Sequence, residues 1–155
     1  MKKVTLKNPV YGEVTLEFGI TFVNIIISGK SYTAMTKEID ANGYKSTSYI
    51  NDIPADFNPI KLASAFIVLK DILKWQKLQT ESINRLVSSY GLKHKIERLG
   101  IYQRITQDFG EKHTHLSNGE FIVAMKLLGF RTNKKILNVN FNLDKNYHYS
   151  LYTQE

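Results

Sequence analysis

The sequence predicts an α+β fold: an N-terminal antiparallel β-meander, a long central helix, and a C-terminal helix plus β-hairpin in a winged-helix-like order. Three observations carry this expectation. Before residue 50, β-branched and aromatic residues gather in short runs separated by turn residues. Between 58 and 108, apolar residues recur at three-to-four spacing. Between 116 and 130 both ends of a short helix are written into the chain: Ser117 is a good N-cap, Glu120 completes a capping box, and Gly129 supplies a left-handed stop.

The meander is expected from residues 4–6, 14–18, 21–27 and 32–35, with Asn8-Pro9, Gly12, Gly19 and Ser28-Gly29 as punctuation. Asn42-Gly43 is a tight-turn signal before a further run at 44–50. Asn58-Pro59 opens the central helix, because proline in the first turn loses no hydrogen bond. Its buried stripe is Leu62, Phe66, Leu69 and Leu73, widened by Ala65 and Ile72. Thr80 caps a second segment carrying Ile83, Leu86, Val87 and Tyr90 and ended by Gly91, or that segment continues the first helix. Ile96, Leu99, Tyr102 and Ile105 predict a helix over 95–108, weakened by Gly100. After the capped helix, 136–143 alternates as a strand and 147–152 folds back on it. With no repeat or linker, residues 1–155 are expected to form one compact domain, with possible lobes at 1–56 and 57–155.

Composition narrows the function classes. The 155 residues include no cysteine, which excludes disulfides and thiolate metal sites and fits a cytoplasmic location. The early lysines lack the apolar run of a signal peptide, and no apolar stretch is long enough to span a bilayer. The net charge is +7. Six basic and six acidic residues balance over 1–56, while nine basic face four acidic over 57–110. Such asymmetry suits an anionic partner, most often nucleic acid, and equally a solvated basic surface.

The candidate contacts follow from that asymmetry. Lys93, Lys95, Arg98 and Arg104 lie along one basic stretch, and Arg131, Lys134 and Lys135 lie at the expected hairpin tip. Tyr147 and Tyr149 would share one strand face, able to stack bases or to cover the core. The capped helix is apolar nearly all round, so it is expected in the core rather than in a DNA groove.

Signs of catalysis are sparse. His113 and His115 form the main histidine cluster, but no further ligands stand at a recognisable spacing, so no bound metal or cofactor is expected. Gly29-Lys30-Ser31 echoes a P-loop end, yet Asn24 stands where a glycine is required, and the segment reads as a hairpin turn.

Residues 101–143 resemble the C-terminal winged-helix domain of phage and poxvirus-type primase-helicases. The shared features are Tyr102, Gly110-Glu111-Lys112, Leu116-Ser117, Gly129-Phe130 and a basic stretch from Arg131 to Lys135. The segment is also similar to ones in small uncharacterised phage and plasmid proteins. This implies a mobile-element protein and adds no catalytic residue. The expected function is non-catalytic binding to nucleic acid or a nucleoprotein complex, as an anti-defence (anti-CRISPR-like) inhibitor would perform. The alternative is a protein–protein inhibitor of a host protein with incidental charge. A metal-dependent enzyme using His113 and His115 comes third.

Overall fold

Alternation of period two builds the first layer. The structure, a computed structural model, describes residues 1–44, 56–133 and 137–152. Strands β1 (Lys2–Asn8), β2 (Gly12–Phe18), β3 (Phe22–Ile27) and β4 (Lys30–Met35) form an antiparallel sheet in the order β1-β2-β3-β4. Val14, Leu16, Phe18, Val23, Ile25, Ile27 and Ala34 point to the core. The other face is polar. There Asn24 donates to Glu17 (2.7 Å) and accepts from Ser31 (2.7 Å) and Thr33 (2.8 Å), a cross-strand ladder of side chains. The expected hairpin turn at Ser28-Gly29 is present, both residues having positive φ (52° and 75°). β1 is an edge strand that carries Lys2, Lys3 and Lys7. A two-stranded ribbon, β5 (Ile39–Asp40) and β6 (Gly43–Tyr44), follows. The expected continuation of that run to residue 50 lies outside the described residues.

Helix α1 (Pro59–Ile67) opens as its sequence predicts, with Asn58 Oδ1 accepting the Lys61 N–H at 3.0 Å. It widens into a π-helical turn over Val68–Ile72, marked by the Leu73 N–H to Val68 carbonyl bond at 2.8 Å. Lys74, with φ of 54°, ends it. A 3₁₀ turn, Trp75–Leu78, follows.

The expected helix between Thr80 and Gly91 is not formed. Backbone N–H groups of Thr80, Asn84 and Ser89 bond instead to carbonyls of Asn142, Phe141 and Val139. Tertiary pairing has overridden helix propensity in this loop. Helix α2 (Ser89–Glu97) starts where that pairing stops, capped by Ser88, whose Oγ accepts the Gly91 N–H at 3.2 Å. Gly91 therefore sits in a first turn rather than at a last one. The expected helix over 95–108 is split: α2 ends at Glu97 and α3 runs over Gly100–Asp108.

Helix α4 (Asn118–Leu127) is the centre of the fold, packing on α1, α2, β3, β4 and the ribbon. Both halves of its capping box are made, at 3.1 Å each. Its end is a Schellman motif: the Phe130 N–H reaches the Met125 carbonyl (3.1 Å), the Gly129 N–H reaches that of Lys126 (2.9 Å), and Gly129 has φ of 96°. Phe121, Ile122, Val123, Ala124 and Met125 are fully buried, as their all-round apolarity predicts. They join one continuous cluster of buried side chains running from β2 to the C-terminal segment.

The C-terminal hairpin takes a different form from the expected one. Residues 139–143 are extended, but they return along 131–133 through a single Thr132–Phe141 bridge. Asparagine side chains supplement the backbone bonds of Asn133 to Asn140 and Asn142 to Arg131 (3.2 Å each): Asn133 Oδ1 accepts the Asn140 N–H (3.0 Å), and Asn142 Oδ1 accepts that of Arg131 (2.6 Å). The expected returning strand at 147–152 is instead a short helix, α5 (His148–Tyr152). Trp75 holds it: its Nε1 donates to Ser150 Oγ at 2.8 Å, and its ring meets Tyr147 edge-on at 5.6 Å. Among the described residues no helix is long and apolar enough to cross a membrane.

Candidate functional site

Helix α2 gathers most of the candidate chemistry and divides it. Tyr90, Lys93, His94 and Glu97 recur at i, i+3, i+4 and i+7 and share one face. Lys95 and Arg98 fall on another. Lys93 and Lys95, adjacent in sequence reasoning, are therefore on different sides of the helix.

The first face is closed upon itself. Lys93 is 2% exposed and its Nζ lies 3.3 Å from Glu97 Oε1. His94 Nδ1 is 2.8 Å from the same oxygen. Glu97 Oε2 accepts the Leu116 N–H at 2.9 Å, with His115 Nδ1 at 3.5 Å. Burial would raise the Glu97 pKa. The Leu116 N–H, the Lys93 charge and His94 outweigh it and hold the carboxyl below its ordinary value. Buried and paired, Lys93 is not placed to meet a phosphate.

The second face is open. Lys95, Arg98 and Leu99 meet His148, Leu151 and Tyr152 of α5 around a groove of about 240 Å³. Lys95 Nζ donates to Tyr147 Oη at 2.8 Å and lies 5.2 Å above that ring. Tyr147 is buried, so it holds Lys95 in place from beneath. Tyr149 is 63% exposed, its ring 4.3 Å from that of His148. Tyr147 and Tyr149 do not share a face, because the segment is helical rather than extended. The structure thus brings Lys95, Arg98, Tyr147 and Tyr149 into one neighbourhood.

His148 and Tyr152 line this groove, whereas a period of two over 147–152 singles out Tyr147 and Tyr149 from the same aromatic cluster. The signal was present. Tyr147 and Leu151, four apart, are the buried pair, which leaves 148, 149 and 152 to the other side.

The remaining candidates are dispersed. Arg104 is exposed on α3. Arg131 is tied to the loop after the 3₁₀ turn, with Nη2 donating to the Glu81 carbonyl (2.6 Å) and the Thr80 carbonyl (3.3 Å). Lys134 and Lys135 lie outside the described residues. His113 and His115 do not converge. His113 offers its backbone N–H to Glu111 (3.3 Å), while the His115 ring turns to Glu97. Among the described residues no three histidines or carboxylates are grouped to hold a metal.

A third polar cluster lies at the start of α4. Asn118 Nδ2 donates to the carbonyls of Asn42 and Leu137, both at 2.9 Å. The Gly119 N–H donates to the Ala41 carbonyl at 3.0 Å. A Cβ on Gly119 would stand 1.7 Å from the Asp40 carbonyl oxygen, so only glycine lets the ribbon approach. Glu120 Oε2 accepts the Asn58 N–H at 2.5 Å, so one carboxylate serves the starts of α4 and α1.

No protein-family model matches the chain, and neither the curated proteins nor the solved structures contain a match to it.

Proposed function

We propose that the chain binds nucleic acid without catalysis, through the groove between α2 and α5. One observation carries this reading: Lys95 and Arg98 share a groove with two accessible rings, His148 and Tyr152, and the exposed Tyr149 ring lies 4.3 Å from that of His148. Cations that follow a phosphate backbone, set beside rings that stack on bases, suit a single strand. The basic excess after residue 57 supports it, while the meander is neutral. The winged-helix reading of residues 101–143, with its likeness to primase-helicase domains, is retained as part of this proposal, and helices followed by a short paired return are compatible with it. Because α4 is buried, contact falls to α2 and α5. A cytoplasmic mobile-element protein acting on a nucleoprotein complex, as an anti-defence inhibitor does, fits this surface.

The test is fluorescence anisotropy with a labelled single strand and a duplex across a salt series. Affinity should fall with salt, and Arg98→Gln should lower the log–log slope by about 1. Tyr149→Ala with Tyr152→Ala should weaken single-strand binding about tenfold or more. Affinity that is indifferent to salt and to all three substitutions would sink the reading. Docking on a host protein is then the better account. It is favoured by Leu86, which is 89% exposed and is a large apolar side chain suited to anchoring an interface.

A further inference from the structure

The groove between α2 and α5 is unevenly supplied with hydrogen-bonding groups. Lys95 and Arg98 carry only donors, Leu99 and Leu151 carry neither kind, and the Tyr152 hydroxyl serves as either. His148 completes the lining, and one bond fixes what it can do. Its Nδ1 stands 3.2 Å from the Lys145 carbonyl oxygen. A carbonyl only accepts, so Nδ1 carries the proton and donates. In the neutral ring Nε2 is then a bare acceptor, and it meets no donor among the described residues. Tyr147 stands edge-on to this ring at 5.8 Å and Tyr149 lies 4.3 Å away, so two neighbouring rings hold its plane.

The position of His148 narrows which donor it meets. It shares the groove with the two cations, and its ring packs with those of Tyr149 and Tyr152. Cations mark the phosphate side of a bound nucleotide, and rings mark the base side. The sugar lies between them. Within a strand a deoxyribose offers no donor, and phosphates only accept, so a DNA backbone leaves Nε2 without a partner. A ribose offers its 2′-hydroxyl, which donates. We propose that this groove selects an RNA strand over DNA, with His148 Nε2 accepting from a ribose 2′-hydroxyl. The inference rests on the reading of the groove as a single-strand site and adds the choice of sugar. Lys95 and Arg98 do not make that choice, because both backbones carry the same phosphates.

Anisotropy with the whole chain would compare oligo-U, 2′-fluoro oligo-U and oligo-dU of one length. All three carry the same base, so base contacts cancel. The 2′-fluoro strand keeps the RNA-like sugar conformation and lacks the donor. Oligo-U should bind about three- to tenfold more tightly than oligo-dU, and the 2′-fluoro strand should behave like oligo-dU. His148→Phe keeps a ring and removes the acceptor. With its melting unchanged, it should bind oligo-dU as the native chain does and lose the preference for oligo-U. Should that variant fail to fold, the 2′-fluoro comparison on the native chain decides alone. UMP should bind about tenfold or more weakly than oligo-U, and equal affinity would overturn the strand in favour of a free ribonucleotide. Equal binding of the three oligomers overturns the choice of sugar and leaves the groove reading standing. So does a preference shared by the 2′-fluoro strand, or one that survives His148→Phe. If none of the three binds, the groove reading falls and this inference falls with it.

Discussion

Two polar regions of this molecule point in opposite senses. At the start of α4, Ser117, Asn118, Gly119 and Glu120 turn inward and spend their hydrogen bonds on the chain itself. Between α2 and α5, Lys95, Arg98, His148 and Tyr152 line an open groove. The difference lies in exposure rather than polarity. At the start of α4 the polar groups are buried against the chain and set stability. In the groove Lys95 and Arg98 stay exposed to a ligand, although Lys95 Nζ is braced by Tyr147 Oη.

Substitutions should separate the two regions. The largest effect is expected from Phe121→Ala, at the heart of α4. Its fully buried ring meets Phe141 edge-on at 6.0 Å, and its loss should cost ~3–5 kcal/mol in chemical denaturation. Gly119→Ala should come next, at about 3 kcal/mol, because its methyl meets backbone rather than a yielding side chain. Ser117→Ala should cost about 1 kcal/mol through the lost cap, seen as a fall in Tm of about 3 °C. None of these should change intrinsic ligand affinity once the protein is folded. At the other extreme, Arg98→Gln should leave Tm unchanged within about 1 °C and alter only the salt dependence of binding. An α4 variant that keeps its Tm yet loses its ligand would break the comparison.

Glu97 sharpens the comparison through pH. Its folded pKa lies below the ordinary value of 4.5. Its contribution to stability is therefore complete above that value and is lost as pH falls through the lowered one. As pH falls below 4.5 the Tm of the native chain should drop more steeply than that of Glu97→Gln. Parallel curves would mean that the Lys93–Glu97–His94 cluster contributes nothing.

What was legible in the sequence follows the range of the forces involved. The meander was readable because alternation, Ser28-Gly29 and the early punctuation act over a few residues. The capped helix was readable for the same reason, its stop and its cap being local. Residues 80–88 were not. Their backbone is claimed by 139–142, 50 to 62 residues away, and no periodicity reports that. The C-terminal segment was misread because Tyr147 and Tyr149 suggested alternation, whereas Trp75 selects the helix by burying Tyr147. Ser117 and Glu120 announced a cap, but not that Glu120 also serves Asn58 or that Gly119 admits the ribbon. The basic residues were visible as a count. Their division into a closed and an open face of α2 required knowing where that helix begins.

The order of the sheet has a consequence for life at high concentration. Among the described residues, β1 has a neighbour on one side only. An unpaired strand is a template on which a second chain can extend the sheet. Lys2, Lys3 and Lys7 place like charges along that border, so two such edges repel before they can align. The lysines that open this sequence thus act as gatekeepers against self-assembly, a task separate from any ligand the rest of the molecule holds.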